Sequence, residues 1–180
     1  MKHPIDSEKI IILDFGSQYT QLIARRIREL GVYSEILSCS SSYKRILKEN
    51  PKGIILSGGP ESVNAKKMLK IDSQILESDI PVLGICYGMQ LMAQHFKGKV
   101  KASNKREFGH AELKTYKSTL FKKIKTSPLK VWMSHGDKVS HLPKGFKKIA
   151  SSKNSPIAAF ENKLLNKYGL QFHPEVTHTD

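Results

Sequence analysis

Cysteine is scarce in this chain: Cys39 and Cys86 are the only two among 180 residues, with no Cys-x-x-Cys and no histidine pair nearby. That count argues against a disulfide framework or a zinc site; it fits a reducing compartment, so no metal and a cytoplasmic location are expected. Long apolar runs are missing too. None approaches the roughly 18 residues a spanning helix needs, and Met1 to Lys9 lacks the apolar segment of a secretory leader. No membrane association is expected. Acidic residues are few, 16 against 30 Lys and Arg, for a formal net charge of +14. The imbalance lies in residues 91–180, with 18 basic and 6 acidic side chains, whereas residues 1–90 hold 12 and 10. The extra lysines fall singly or in pairs, without aromatic interleaving or a nucleic-acid module. A solvated surface or a docking face for an acidic partner is expected, and no nucleic acid.

What is present reads as one α/β domain. The length supports a single core, and 39% hydrophobic with 26% charged residues is ordinary for a globular protein. Ile10 to Leu13 is a continuous apolar run, the mark of a strand buried on both faces. From Tyr19 to Leu30 the residues Leu22, Ile23, Ile27 and Leu30 form one stripe, and Gly31 supplies the stop. With the β-prone Val32 to Leu37 this is a βαβ unit, which implies a parallel sheet. Gly16-Ser17-Gln18 has neither Gly-x-Gly-x-x-Gly spacing nor a Walker lysine, so nucleotide binding is not expected there. Ser40 to Ser42 can cap a short helix through Glu49; Ile54 to Leu56 is the next strand, and Met68 to Glu77 is predicted to be a helix. Beyond Gly98 short strand candidates follow closely: 99–102, 111–116, 130–133, 148–151, 157–160 and 169–172. Their spacing predicts antiparallel additions to a mostly parallel, helix-flanked sheet.

The chemistry centres on Pro81 to Gln90, where an apolar strand ends in Gly84-Ile85-Cys86-Tyr87-Gly88 and passes directly into a helical pattern. This has the form of a nucleophile elbow, with small residues two before and two after the reactive side chain because backbone passes close on both sides. A cysteine at a helix start is biased toward thiolate, the nucleophilic form. The competing reading is a small buried residue at a strand end. Ser57-Gly58-Gly59-Pro60 also follows a strand and is either a simple turn or a loop whose open amides suit an oxyanion. His173-Pro174-Glu175 follows the last strand; at i and i+2 of an extended segment the ring and the carboxylate lie side by side. Arg106 to His110 reads as a polar segment entering a strand, and Ser134-His135-Gly136-Asp137 as a turn rich in donors and acceptors. A thiol, an imidazole and a carboxylate after strands of one sheet suggest acyl transfer from an amide or ester through a thioester.

Those residues carry a resemblance. Ile11 to Gly31, Gly53 to Val63, Val82 to Gln90, Arg106 to Gly109, Trp132 to Asp137 and Gly169 to Thr179 are together similar to the class I, triad-type glutamine amidotransferases. Among these they resemble the glutaminase domains of bacterial GMP synthetases. The resemblance implies a flavodoxin-like fold with Cys86 as nucleophile, His173 as acid and base and Glu175 as its orienter. It implies Gly59 and Tyr87 as oxyanion donors, and Gln90, Ser134, His135, Gly136 and Asp137 as glutamine-binding positions. It also implies no cofactor in this chain, with ATP and Mg on an ATP-pyrophosphatase domain or subunit that aminates XMP to GMP. That domain, a dimerisation domain and a terminal helix are expected beyond residues 1–180 or on another chain. His110 stands where the family more often has tyrosine, beside the expected pocket. A glutaminase of anthranilate or carbamoyl phosphate synthesis, or a non-catalytic domain, are the alternative readings.

Overall fold

In the computed structural model, residues 8–180 are described, apart from the side chains of 104–106; the expectations placed on the Arg106 side chain lie outside the described residues. The elements in chain order are β1 (Lys9–Asp14), α1 (Thr20–Glu29), β2 (Tyr33–Ser38), α2 (Tyr43–Leu47), β3 (Gly53–Leu56), α3 (Gln74–Glu77), β4 (Val82–Ile85), α4 (Tyr87–His95), β5 (Lys99–Thr115), β6 (Leu129–His141), β7 (Lys147–Ser151), β8 (Ala159–Asn162) and β9 (Lys167–Leu170). They build one nine-stranded sheet in the order β2-β1-β3-β4-β9-β8-β7-β5-β6. The first five strands in that order are parallel and the rest antiparallel. The mostly parallel core with antiparallel additions is therefore as expected.

Residue alternation decides what each face carries. Ile11 and Leu13 of β1, with Ile54 and Leu56 of β3, pack with Ile46, Ile75, Leu76, Met89 and Met92 from α2, α3 and α4. Ile12 turns the other way and packs with Ile23 and Ala24 of α1 and with Ile85 of β4. A further cluster, including Leu113, Val131, Met133, Ile149, Ala159 and Leu170, lies under the antiparallel strands. Helices thus cover both faces of the parallel half, and the strand ends that carry Gly58-Gly59, Cys86 and His173 open on one edge.

Three local expectations are corrected. The helix predicted over Met68 to Glu77 is reduced to Gln74–Glu77. Asp72 accounts for this: its carboxylate accepts the backbone N–H groups of Tyr43 (2.9 Å) and Gln74 (3.2 Å), so it starts the helix after itself. The strand candidates at 99–102 and 111–116 are parts of one strand, β5, which bulges between Ala102 and Glu107. The Ser134–Asp137 segment is not a turn but the middle of β6, paired with β5 through His135↔Glu107 and Asp137↔Ala102.

Candidate active site

Cys86 sits between β4 and α4 with φ +51° and ψ −104°, a positive φ that a non-glycine side chain rarely adopts. The flanking glycines make this turn possible. A Cβ on Gly84 would lie 2.5 Å from the carbonyl carbon of Gly88, and one on Gly88 would lie 2.5 Å from both Cβ and O of Leu56. Any side chain at either position would push α4 off the sheet. The chain reverses there and sets the thiol at the N-terminus of α4, where the first N–H groups lack intrahelical acceptors. Cys86 Sγ lies 3.5 Å from the Ser134 carbonyl and 3.7 Å from Gln171 Nε2, which donates to it.

His173 and Glu175 approach from the turn after β9, whose first ladder residues pair with β4. His173 Nδ1 is 2.8 Å from Glu175 Oε1, and both side chains are buried. The contact expected of an i, i+2 pair forms, although on a turn rather than an extended segment. Burial works against the charged imidazole, but hydrogen bonds with Cys86 and Glu175 outweigh it and raise His173 to about 9. The backbone is held from outside: Arg26 Nε donates to Glu175 O (3.0 Å), Thr179 Oγ1 to His173 O (2.7 Å), and His173 N to Trp132 O (3.0 Å). The ring of Tyr19 meets that of His173 edge-on at 5.1 Å.

A cavity of about 420 Å³ opens beside the thiol, lined in part by Gly59, Cys86, Tyr87, Gln90 and residues 134–137. All the residues expected to bind glutamine or an oxyanion thus border one space. Gln90 Nε2 donates to the carbonyl of Asp137 (2.9 Å) and to Gln171 Oε1 (3.3 Å). A carbonyl cannot donate, so the nitrogen must face it and the amide orientation of Gln90 is determined. Glycine is required at Gly59, since a Cβ there would meet Phe15 O at 2.8 Å; at Gly58 a Cβ would lie 3.2 Å from His173 Cε1.

Four contributors have no site role in the sequence reading. Gln171, immediately after β9, touches both Cys86 and Gln90. Ser62 donates to the Asp137 carboxylate, joining the Gly58-Gly59 loop to β6. Glu107 lies against His135 at 3.0 Å. Gly16 to Tyr19, rejected as a nucleotide loop, line a second cavity of about 220 Å³ that also borders Cys86 and His173. All four lie within segments that carry the resemblance, but each reaches the site through partners far along the chain, which no local pattern shows. His110 lines neither of these two cavities; its ring meets those of Trp132 (5.4 Å) and His178 (5.9 Å) edge-on.

Comparison with known proteins gives a consistent picture. The family description "Glutamine amidotransferase class-I" matches residues 11–180. The chain is 54% identical over 172 residues to a GMP synthase [glutamine-hydrolyzing] of Campylobacter hominis, covering 95% of this chain and 34% of that protein. It is 53% identical over 180 residues to the protein of the same name from Xylella fastidiosa, covering 97% and 34%. It thus spans about a third of the length of those relatives. Among solved structures, a GMP synthase subunit from Thermoplasma acidophilum superposes with TM-score 0.83 at 31% identity, covering 96% of this chain and 87% of the other. A Thermotoga maritima glutamine amidotransferase gives TM-score 0.77 at 25% identity, covering 94% and 76%.

Proposed function

Because the chain belongs to the glutamine amidotransferase class-I family, we propose that it hydrolyses glutamine to glutamate and ammonia at Cys86. The ammonia goes to an ATP-pyrophosphatase domain or subunit that aminates XMP to GMP in the cytoplasm, and ATP and Mg bind on that partner. The observation that carries this reading is an arrangement of side chains: Cys86 borders the cavity lined by Gln90 and Asp137, shares the smaller cavity with His173, and His173 Nδ1 lies 2.8 Å from Glu175 Oε1. Among the described residues no helix is long and apolar enough to cross a membrane.

In the proposed reaction Cys86 Sγ attacks the carbonyl carbon of the glutamine side-chain amide. The oxyanion that forms takes hydrogen bonds from the backbone N–H groups of Gly59 and Tyr87. The His173 imidazolium gives a proton to the departing nitrogen, the C–N bond breaks, and ammonia leaves a γ-glutamyl thioester. Neutral His173 then takes a proton from water, the oxygen adds to the thioester carbonyl, and the C–S bond breaks. Glutamate is released with the thiolate and imidazolium restored. Glu175 keeps the ring oriented and its charged form stable throughout. Gln90, having committed its amide hydrogens to Asp137 and Gln171, offers its carbonyl oxygen to a donor on the substrate.

The test is a coupled assay of glutamate and GMP formation from glutamine, XMP and ATP with an added ATP-pyrophosphatase domain. Glutamate release that rises with the partner and disappears in Cys86→Ala is expected. A partner that makes GMP from free ammonium but never from glutamine plus this chain contradicts the reading.

A further inference from the structure

Glu107 and His135 are direct cross-strand neighbours on β5 and β6, and both side chains are buried. The hydrogen bonds around them require a particular proton count. His135 Nδ1 lies 2.9 Å from the Asp137 carbonyl, which can only accept, so Nδ1 carries a hydrogen. His135 Nε2 lies 3.0 Å from Glu107 Oε2. A neutral imidazole has one N–H, already spent on Asp137, and the Ser155 hydroxyl, 3.4 Å from Nε2, donates instead to Glu107 Oε2 at 2.6 Å; although burial works against a second charge on the ring, the 3.0 Å contact is satisfied by a further proton held between Nε2 and the Glu107 carboxyl. The carboxyl is fixed in turn by the hydroxyls of Ser155 (2.6 Å to Oε2) and Ser152 (3.2 Å to Oε1).

The other end of this pair reaches the cavity. The Asp137 carbonyl takes two hydrogen bonds, from His135 Nδ1 and from Gln90 Nε2, both 2.9 Å long. The Asp137 carboxylate takes a third from Ser62. Gln90, Asp137, His135 and Ser62 all line the 420 Å³ cavity that Cys86 also borders, whereas His173 and Glu175 are not among its lining residues. We infer that Glu107 is a positioning residue for the substrate cavity, acting through the proton it shares with His135 to set the Asp137 peptide and, through it, the Gln90 amide. This rests on the reading of the cavity as a glutamine site. Without Glu107 the ring keeps only the Ser155 hydroxyl, 3.4 Å away, at Nε2, and the hydrogen bond from Nδ1 to the Asp137 carbonyl loses its main support.

The test compares Glu107→Ala with Glu107→Gln by three readouts: steady-state glutamine hydrolysis, iodoacetamide alkylation of Cys86 read by peptide mass, and nitrogen-edited NMR of the His135 ring. Glu107→Ala leaves the ring untethered and is expected to raise KM for glutamine about tenfold or more, the scale of one lost buried hydrogen bond. Its kcat and its Cys86 alkylation rate stay within about threefold, since the triad groups are untouched. Glu107→Gln restores KM, because its amide N–H can donate to Nε2 while Nδ1–H stays on Asp137. An unchanged KM in Glu107→Ala overturns the inference, as does a KM rise matched by equal losses in kcat and alkylation. If the parent hydrolyses no glutamine, the proposed function fails and the NMR decides alone: a protected Nδ1–H lost in Glu107→Ala and kept in Glu107→Gln supports the inference, and one kept in both overturns it.

Discussion

His173 and Glu175, separated by Pro174, meet through Nδ1 and Oε1 at 2.8 Å in a buried turn, and the carboxylate helps to keep the imidazole charged. Replacing Glu175 with Gln keeps the shape and removes the charge. Turnover of glutamine is then expected to fall by about a hundredfold or more. The His173 ring is expected to titrate closer to its ordinary value, below the about 9 it has here. An NMR titration of His173 with kcat measured on the same samples checks both; an unshifted titration refutes the assignment of Glu175 as the orienter.

The same pair makes stability depend on pH. His173 is raised from 6.5 to about 9 on folding, so between those values the native state holds more protons than the unfolded chain. Stability is fully present below pH 6.5 and is lost as pH rises through 9, by up to about 3 kcal/mol from this group. Urea unfolding at either end of that window is expected to show a larger drop for the parent than for Glu175→Gln. Parallel pH profiles would contradict the linkage.

Two glycine substitutions separate close packing from backbone strain. Gly84→Ala places a methyl 2.5 Å from the Gly88 backbone at the elbow and is expected to cost about 3 kcal/mol or more. Gly31→Ala meets nothing within 4 Å but sits at φ +80° and is expected to cost only about 1–2 kcal/mol. Chemical denaturation measures both; equal losses would mean that the elbow does not depend on close backbone approach.

Lys167 is fully buried, and its three ammonium hydrogens go to the carbonyls of Ser78 (2.8 Å), Ile80 (2.9 Å) and Leu165 (2.8 Å). It thereby ties the end of α3, the lead into β4 and the β8–β9 turn to the start of β9. Lys167→Met strands three carbonyls and is expected to cost about 3 kcal/mol or more in urea unfolding. A loss under about 1 kcal/mol would show that those carbonyls find other partners.

Where the sequence was legible, one local physical cause dominated. The run Ile10 to Leu13 and the stripe Leu22, Ile23, Ile27 gave β1 and α1 because burial on one or both faces leaves a period in the chain. Gly84 and Gly88 announced the elbow because close backbone contact admits no other residue. The remainder was hidden because its causes are distant in sequence. Ser134 to Asp137 are polar and contain a glycine, so they resemble a turn, yet pairing with Glu107 and Phe108 makes them strand. Gln171 reads as an ordinary strand residue until β4 and β9 pair and bring it to Cys86. Met68 to Ile71 carry helical spacing, but Asp72 claims the backbone N–H groups of Tyr43 and Gln74 and delays the helix.

The central claim is that Cys86 carries the glutamyl group, and intact-chain and peptide mass spectrometry after acid quenching with glutamine tests it most directly. A mass increase of one γ-glutamyl group on the peptide containing Cys86, absent from Cys86→Ala and accumulating when His173 is replaced by Ala at alkaline pH, is the expected result. Glutamate release that continues in Cys86→Ala would contradict the account.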